Sequence, residues 1–242
     1  MDFTDKLYEK MKKINIDLSC EQLNKFKTYK NLLLEWNEKI NLTSITEEDE
    51  IILKHFVDSL TIAKYINEND LIADIGTGAG FPGIPLKILK KDNKITLIDS
   101  LNKRINFLNK VIEECELNNV LAIHSRAEDI GHNMEYRGKY DVVTSRAVAK
   151  LNVLLEYMMP LVKVGGRCIC MKGPNIEDEL EEAKNAIEIF GGEVERVEEI
   201  NLPDSDNGRT IVIIKAVKHL PNKYPRKAGV PTSSPIQNQF HT

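Results

Sequence analysis

The stretch from Asp74 to Leu86, "DIGTGAGFPGIPL", concentrates residue types that hold a nucleotide-like cofactor. From Gly78 it has the G-x-G-x-x-G spacing of a dinucleotide fingerprint. From Asp74 it has the D-x-G-x-G-x-G spacing of an S-adenosylmethionine loop, with glycines at Gly76, Gly78 and Gly80. Both patterns place the glycines between a strand and a helix, where open α/β sheets bind ligands. Both also expect an acidic residue ending the second strand to accept from ribose hydroxyls, and Asp99 in "TLIDS" stands there. Two features separate the patterns. A pyrophosphate needs backbone N–H donors at the helix start, but Pro82 and Pro85 have none. Asp74 is acidic where a dinucleotide loop usually carries an apolar residue; it is placed to hold the loop amides, or the cationic methionine end through water.

The elements around this loop follow from periodicity. Ser19 and Gln22 have capping-box spacing, and Leu23, Phe26, Tyr29, Leu33, Trp36 and Ile40 recur at helical steps. A second capped start at Thr46 leads into "EIILKHFVDSLTIAKYI", read as one amphipathic helix. From Leu71 apolar strands alternate with helices: "LIADIG", "KITLID", "VLAIHS", "YDVVTSRA" and "GRCICMKG" are strands. This alternation predicts a largely parallel sheet covered on both faces. The last two strand-like runs, "GGEVERVEEINLP" and "RTIVIIKAV", are joined by "DSDNG", too short for a crossover, so they pair antiparallel. The predicted fold is α/β: a Rossmann-like, mostly parallel seven-stranded sheet with an antiparallel terminal hairpin and an N-terminal helical extension. That hairpin, and the turn in "MMPLVKVGGRCICMKG", resemble class I S-adenosylmethionine-dependent methyltransferases. The boundaries read as a helical subdomain over 1–66, a methyltransferase domain over 67–218 and a basic tail over 219–242.

With 42% hydrophobic and 29% charged residues, the chain has the composition of an ordinary globular protein. Its charged start and the lack of a long apolar run predict a cytoplasmic protein with no membrane segment. Of four cysteines, Cys168 and Cys170 share one face of a strand and are read as core. His124 has no partner at ligand spacing, and no metal is expected. His55, Asp58 and Ser59 lie too close on one helix to form a hydrolase triad, and no G-x-S-x-G elbow exists. His55 is read instead as an interface or substrate-side residue. The net charge of −4 conceals a basic end in which "KHLPNKYPRK" brings Lys223, Arg226 and Lys227 around Tyr224, a pattern suited to phosphates and base stacking; Lys103 and Arg104 add to this face.

"DIGTGAGFPGIPL", "SRAED", "YDVVTSRAVAKL", "EWNEKINLTSI", "KHFVDSL" and "PNKYPRKAGVP" together resemble the ribosomal RNA small-subunit methyltransferase G family, also called glucose-inhibited division protein B, over nearly the whole chain. The resemblance implies S-adenosyl-L-methionine as cofactor, 16S rRNA or the small ribosomal subunit as partner, methylation at N7 of one guanine, and a monomer. It implies that Gly76 and Phe81 line the cofactor loop, that Asp99 faces the ribose, and that Ala127 and Glu128 face the adenine. It puts Arg146 beside cofactor and target. Ser233 and Ser234 depart from the family, which commonly has lysine or asparagine before the last proline. Guanine N7 carries a lone pair and no proton, so no general base is needed. Arg146 is expected to orient the target, the alternative being a structural pair with Glu128 or Asp74. Two other readings remain open at this level: an NAD-dependent oxidoreductase, and a nucleic-acid-binding protein of this fold without catalysis.

Overall fold

A computed structural model describes residues 1–206 and 208–237; the end of the expected basic tail, 238–242, and Asn207 of the hairpin turn lie outside them. The chain opens with α1 (Phe3–Lys12), started by an Asp2–Asp5 capping box and burying Phe3, Leu7 and Met11 at four-residue steps. Helix α2 (Cys20–Ile40) starts on the Ser19–Gln22 capping box read from the sequence and stops where Asn41 turns left-handed, at φ 49°. Beyond it, the Asn37 side chain accepts from the N–H groups of Leu42 and Thr43 and fixes the exit loop.

The segment expected to be one helix from Thr46 is helical without interruption over residues 48–60, but its winding changes along the way. It comprises α3 (Glu48–Glu50), which lacks a side-chain cap, a π-helical stretch (Ile51–Val57), α4 (Asp58–Leu60) and a 3-10 turn (Ala63–Tyr65). The wider π turn buries His55, Phe56 and Val57 with Asp58 just after them, an irregularity that recurs at functional sites.

The sheet holds β1 (Leu71–Ile75), β2 (Lys94–Asp99), β3 (Val120–His124), β4 (Tyr140–Arg146), β5 (Val162–Lys172), β6 (Gly192–Asn201) and β7 (Gly208–Ala216), in the order β3-β2-β1-β4-β5-β7-β6. Strands β1 to β5 run parallel, whereas β7 is antiparallel to both β5 and β6. The crossovers carry α5 (Gly83–Leu89), α6 (Asn102–Glu114), α7 (Ala127–His132), α8 (Leu151–Met158) and α9 (Glu177–Ile189), and α10 (Val230–Ser233) lies in the tail.

Period-two alternation divides the core. Ile72, Leu97, Val142, Ile169 and Ile213 pack with the N-terminal helices, α5 and α6. Ala73, Ile75, Val143, Cys168, Cys170, Val212 and Ile214 pack with α8, α9 and Tyr224. The two cysteines are fully buried beside Met159 and Met158, as their spacing predicted. Because β1, β2 and β4 are parallel neighbours, their C-terminal ends bring the glycine loop, Asp99 and Arg146 to one edge of the sheet.

Candidate active site

The glycine loop leaves β1 through Gly76, Gly78 and Gly80, with φ of 65°, 61° and 99°, a left-handed path that side chains resist. A Cβ at Gly78 would meet nothing nearer than the Gly76 carbonyl at 3.9 Å, so this part of the loop borders open space. Tyr29 of α2, fully buried, donates to the Ala79 carbonyl and ties the loop to the helical part.

Asp74 sits under the loop. Its Oδ2 accepts from the Thr77 hydroxyl at 2.6 Å and from Gly83 N–H at 2.9 Å, while its buried Oδ1 has no partner among the described residues. Burial pushes its carboxyl up to about 7, against those two hydrogen bonds and the charge of Arg146. The Gly83 amide, the donor a dinucleotide fingerprint would present to pyrophosphate, is therefore consumed by Asp74, and Pro82 before it has no N–H. Gly83 is required by packing: a Cβ there would stand 2.2 Å from a Leu97 methyl and 2.8 Å from the Asp74 carboxylate.

Asp99 is buried at the end of β2 and holds the loop from the other side. Oδ2 accepts from Gly78 N–H and Oδ1 from Leu101 N–H, both at 2.9 Å. Arg104, expected on an RNA-binding face, instead closes on Asp99 at 3.2 Å with its side chain about one-third exposed. Ala127 opens α7, and the Glu128 carboxylate accepts from Gly229 N–H at 3.1 Å, joining the expected adenine position to the tail.

Arg146 pairs with neither Glu128 nor Asp74. Its Nη1 donates to Asp58 Oδ2 and to the Lys54 carbonyl, each at 3.0 Å, and its Nη2 approaches His55 Nδ1 at 3.3 Å. The guanidinium lies 4.9 Å from the centre of the Phe81 ring, on which the His55 ring stacks at 4.4 Å. Asp58, only 3% exposed in its side chain, also accepts from Arg209 Nε at 3.2 Å and so bridges two arginines. His55, expected at an interface or on the substrate side, is an interior support at 7% exposure set against Arg146 of β4. Asp58, Arg209 and Tyr29 were missed as site residues: Asp58 entered only within "KHFVDSL" and the dismissed hydrolase trio, Tyr29 only as part of a helical stripe, and Arg209 only within a strand.

The tail also departs from expectation. The Tyr224 ring is buried edge-on to Phe190 at 5.2 Å and offers no outer face for stacking. Arg226 is committed to the buried Glu156, at 2.6 to 3.2 Å, and to the Ser234 carbonyl. Lys223 and Lys227 remain exposed.

A reversed last hairpin, a glycine loop underpinned by Asp74, and Asp99 ending the second strand define the class I S-adenosylmethionine-dependent methyltransferase fold. Solved structures share it. M. capricolum TrmK in complex with S-adenosyl-homocysteine matches at 20% identity and TM-score 0.52, covering 67% of this chain and 69% of that one. A SAM dependent methyltransferase from Aquifex aeolicus matches at 20% identity and TM-score 0.50, covering 66% and 90%.

The family model for rRNA small subunit methyltransferase G matches residues 22–208. The Ribosomal RNA small subunit methyltransferase G of Desulforamulus reducens is 52% identical over 97% of this chain and 99% of its own. That of Alkaliphilus oremlandii is 50% identical over 98% and 100%. The chain belongs to the rRNA small subunit methyltransferase G family and is a methyltransferase with S-adenosyl-L-methionine as its methyl donor.

Proposed function

We propose that this enzyme methylates N7 of one guanine in 16S rRNA, acting in the cytoplasm as a monomer on the RNA or the small subunit. The observation carrying this reading is the character of the site around Arg146: two guanidiniums, one carboxylate bridging them, and a histidine whose proton affinity is suppressed, so that the groups bonded to Arg146 are committed to it and not free to take a proton. The His55 imidazole is held down to about 3, first by burial and then by the charge of Arg146, so it stays neutral. An exocyclic amine would need a proton acceptor, whereas N7 attacks through a ring lone pair and needs positioning and exclusion of water.

Asp74, Gly76, Gly78, Gly80, Phe81, Asp99, Ala127 and Glu128 would hold the cofactor, which supplies an electrophilic sulfonium methyl. The unpartnered Asp74 Oδ1 and the open face of Gly78 fit that role. Of the five N–H donors of Arg146, three are engaged, and two have no partner among the described residues. Arginine often grips guanine through O6 and N7 together. Here N7 must keep its lone pair free, so the remaining donors address O6 or a phosphate. Lys223 and Lys227 add phosphate contacts from the tail.

Transfer of labelled methyl groups to naked 16S RNA, to assembled small subunits and to small subunits lacking the target guanine tests the reading. Label in one of the first two and none in the third is expected. Label in all three would remove the guanine assignment, and label in none would favour a non-catalytic binder.

A further inference from the structure

Arg146 reaches the site through a chain of hydrogen bonds whose direction is set by chemistry. A guanidinium only donates, so His55 Nδ1 at 3.3 Å must offer its lone pair. A neutral imidazole then carries its one proton on Nε2, which lies 2.9 Å from Thr43 Oγ1. Thr43 therefore accepts at that contact, and its second lone pair takes the Ile45 N–H at 3.0 Å. Thr43 is itself fixed, because its own N–H and that of Leu42 are held by the side-chain Oδ1 of Asn37 near the end of α2. We propose that Thr43 and His55 are positioning residues for methyl transfer: Thr43 sets the Nε2–H tautomer of His55, and His55 holds the Arg146 guanidinium against Phe81 without neutralising it.

The choice of acceptor matters. The Arg146 guanidinium already meets one carboxylate, that of Asp58, which it shares with Arg209. A second carboxylate in place of His55 would cancel the remaining positive charge, whereas a neutral imidazole orients Arg146 and leaves that charge for the target. Its flat ring also packs on Phe81, within 17° of parallel. The N-terminal helices thereby set the geometry of an arginine that belongs to the sheet. This inference rests on the reading of Arg146 as the residue that orients the target.

The test uses the full chain, labelled with 15N-histidine, together with Thr43→Val, Thr43→Ser and His55→Phe. The wild-type nitrogen spectrum is expected to place the His55 proton on Nε2. Thr43→Val, which keeps the shape and loses the acceptor, is expected to mix the tautomers. The initial rate at which total methyl label enters RNA at saturating cofactor is expected to fall about tenfold for Thr43→Val and His55→Phe, the loss of roughly one hydrogen bond in the transition state. Cofactor Kd should be unchanged, and Thr43→Ser should recover most of the rate. An Nδ1-protonated His55 in the wild type would overturn the proposal. So would rates per folded molecule within about twofold of wild type for both Thr43→Val and His55→Phe. Counting total label makes the outcome independent of which base atom is methylated, and the nitrogen spectrum decides the tautomer even where no label is transferred.

Discussion

Asp74, bonded to Thr77 and Gly83, and His55, stacked on Phe81, both touch the cofactor loop and respond to pH with opposite signs. The Asp74 carboxyl is raised from 3.8 to about 7, so between those values the folded state binds more protons than the unfolded chain, and this group makes stability fall as pH rises. His55 is lowered from 6.5 to about 3, so over that window the unfolded chain binds more protons, and this group makes stability rise with pH. In the wild type the two slopes oppose each other from about pH 4 to pH 6. Asp74→Asn should leave the His55 contribution alone, so that the urea midpoint climbs more steeply over this range than in the wild type; equal slopes would contradict the account. Asp74 and Asp99 were legible because each lies at or next to the end of a strand inside a recognisable string. The Asp58 bridge was not, because its partners Arg146 and Arg209 stand 88 and 151 residues away and leave no local pattern.

Among the elements, α5 depends on a residue with no side chain. Gly83→Ala drives a methyl into Leu97 and the Asp74 carboxylate and should cost about 1–3 kcal/mol by overpacking, read as a lower Tm. An unchanged Tm would mean that α5 can shift away from β2. The tail separates into two kinds of cation. Arg226→Ala would strand Glu156, whose side chain is 1% exposed, at about 3–5 kcal/mol. Lys223→Glu with Lys227→Glu should instead weaken RNA binding with stability changed by only about 0.5 kcal/mol. Filter binding and thermal melting on the same samples distinguish these outcomes, and RNA affinity unchanged in the lysine variant would remove the tail from the interface. Strand and helix order could be read from alternating periods. The π winding around His55 could not, since "EIILKHFVDSL" has the same apolar spacing whether its turns are α or π. Tyr224 and Arg226 looked like surface residues because a basic string reads as exposed until its buried partners, Phe190 and Glu156, are placed.

At the scale of the whole molecule, the sheet divides two tasks between its faces. One face carries the N-terminal helices, which deliver Tyr29, His55 and Asp58 to the loop and to Arg146. The other carries α7, α8 and the tail, which meet at Glu128 and Glu156. The parallel order and reversed hairpin were legible because connection lengths allow few topologies. The joining of the helical part to the sheet in one hydrophobic cluster was not, because it rests on contacts between distant segments such as Phe3, Phe56 and Phe81. The most direct measurement concerns the atom that receives the methyl group. Methylation at guanine N7 makes the glycosidic bond labile after borohydride reduction, so aniline then cleaves the RNA strand at that nucleotide. The account predicts that 16S RNA, treated naked or within small subunits with this enzyme and S-adenosyl-L-methionine, gains in at least one of these forms a single new scission at one guanine, absent without cofactor. Methyl label in the RNA with no new scission would contradict it.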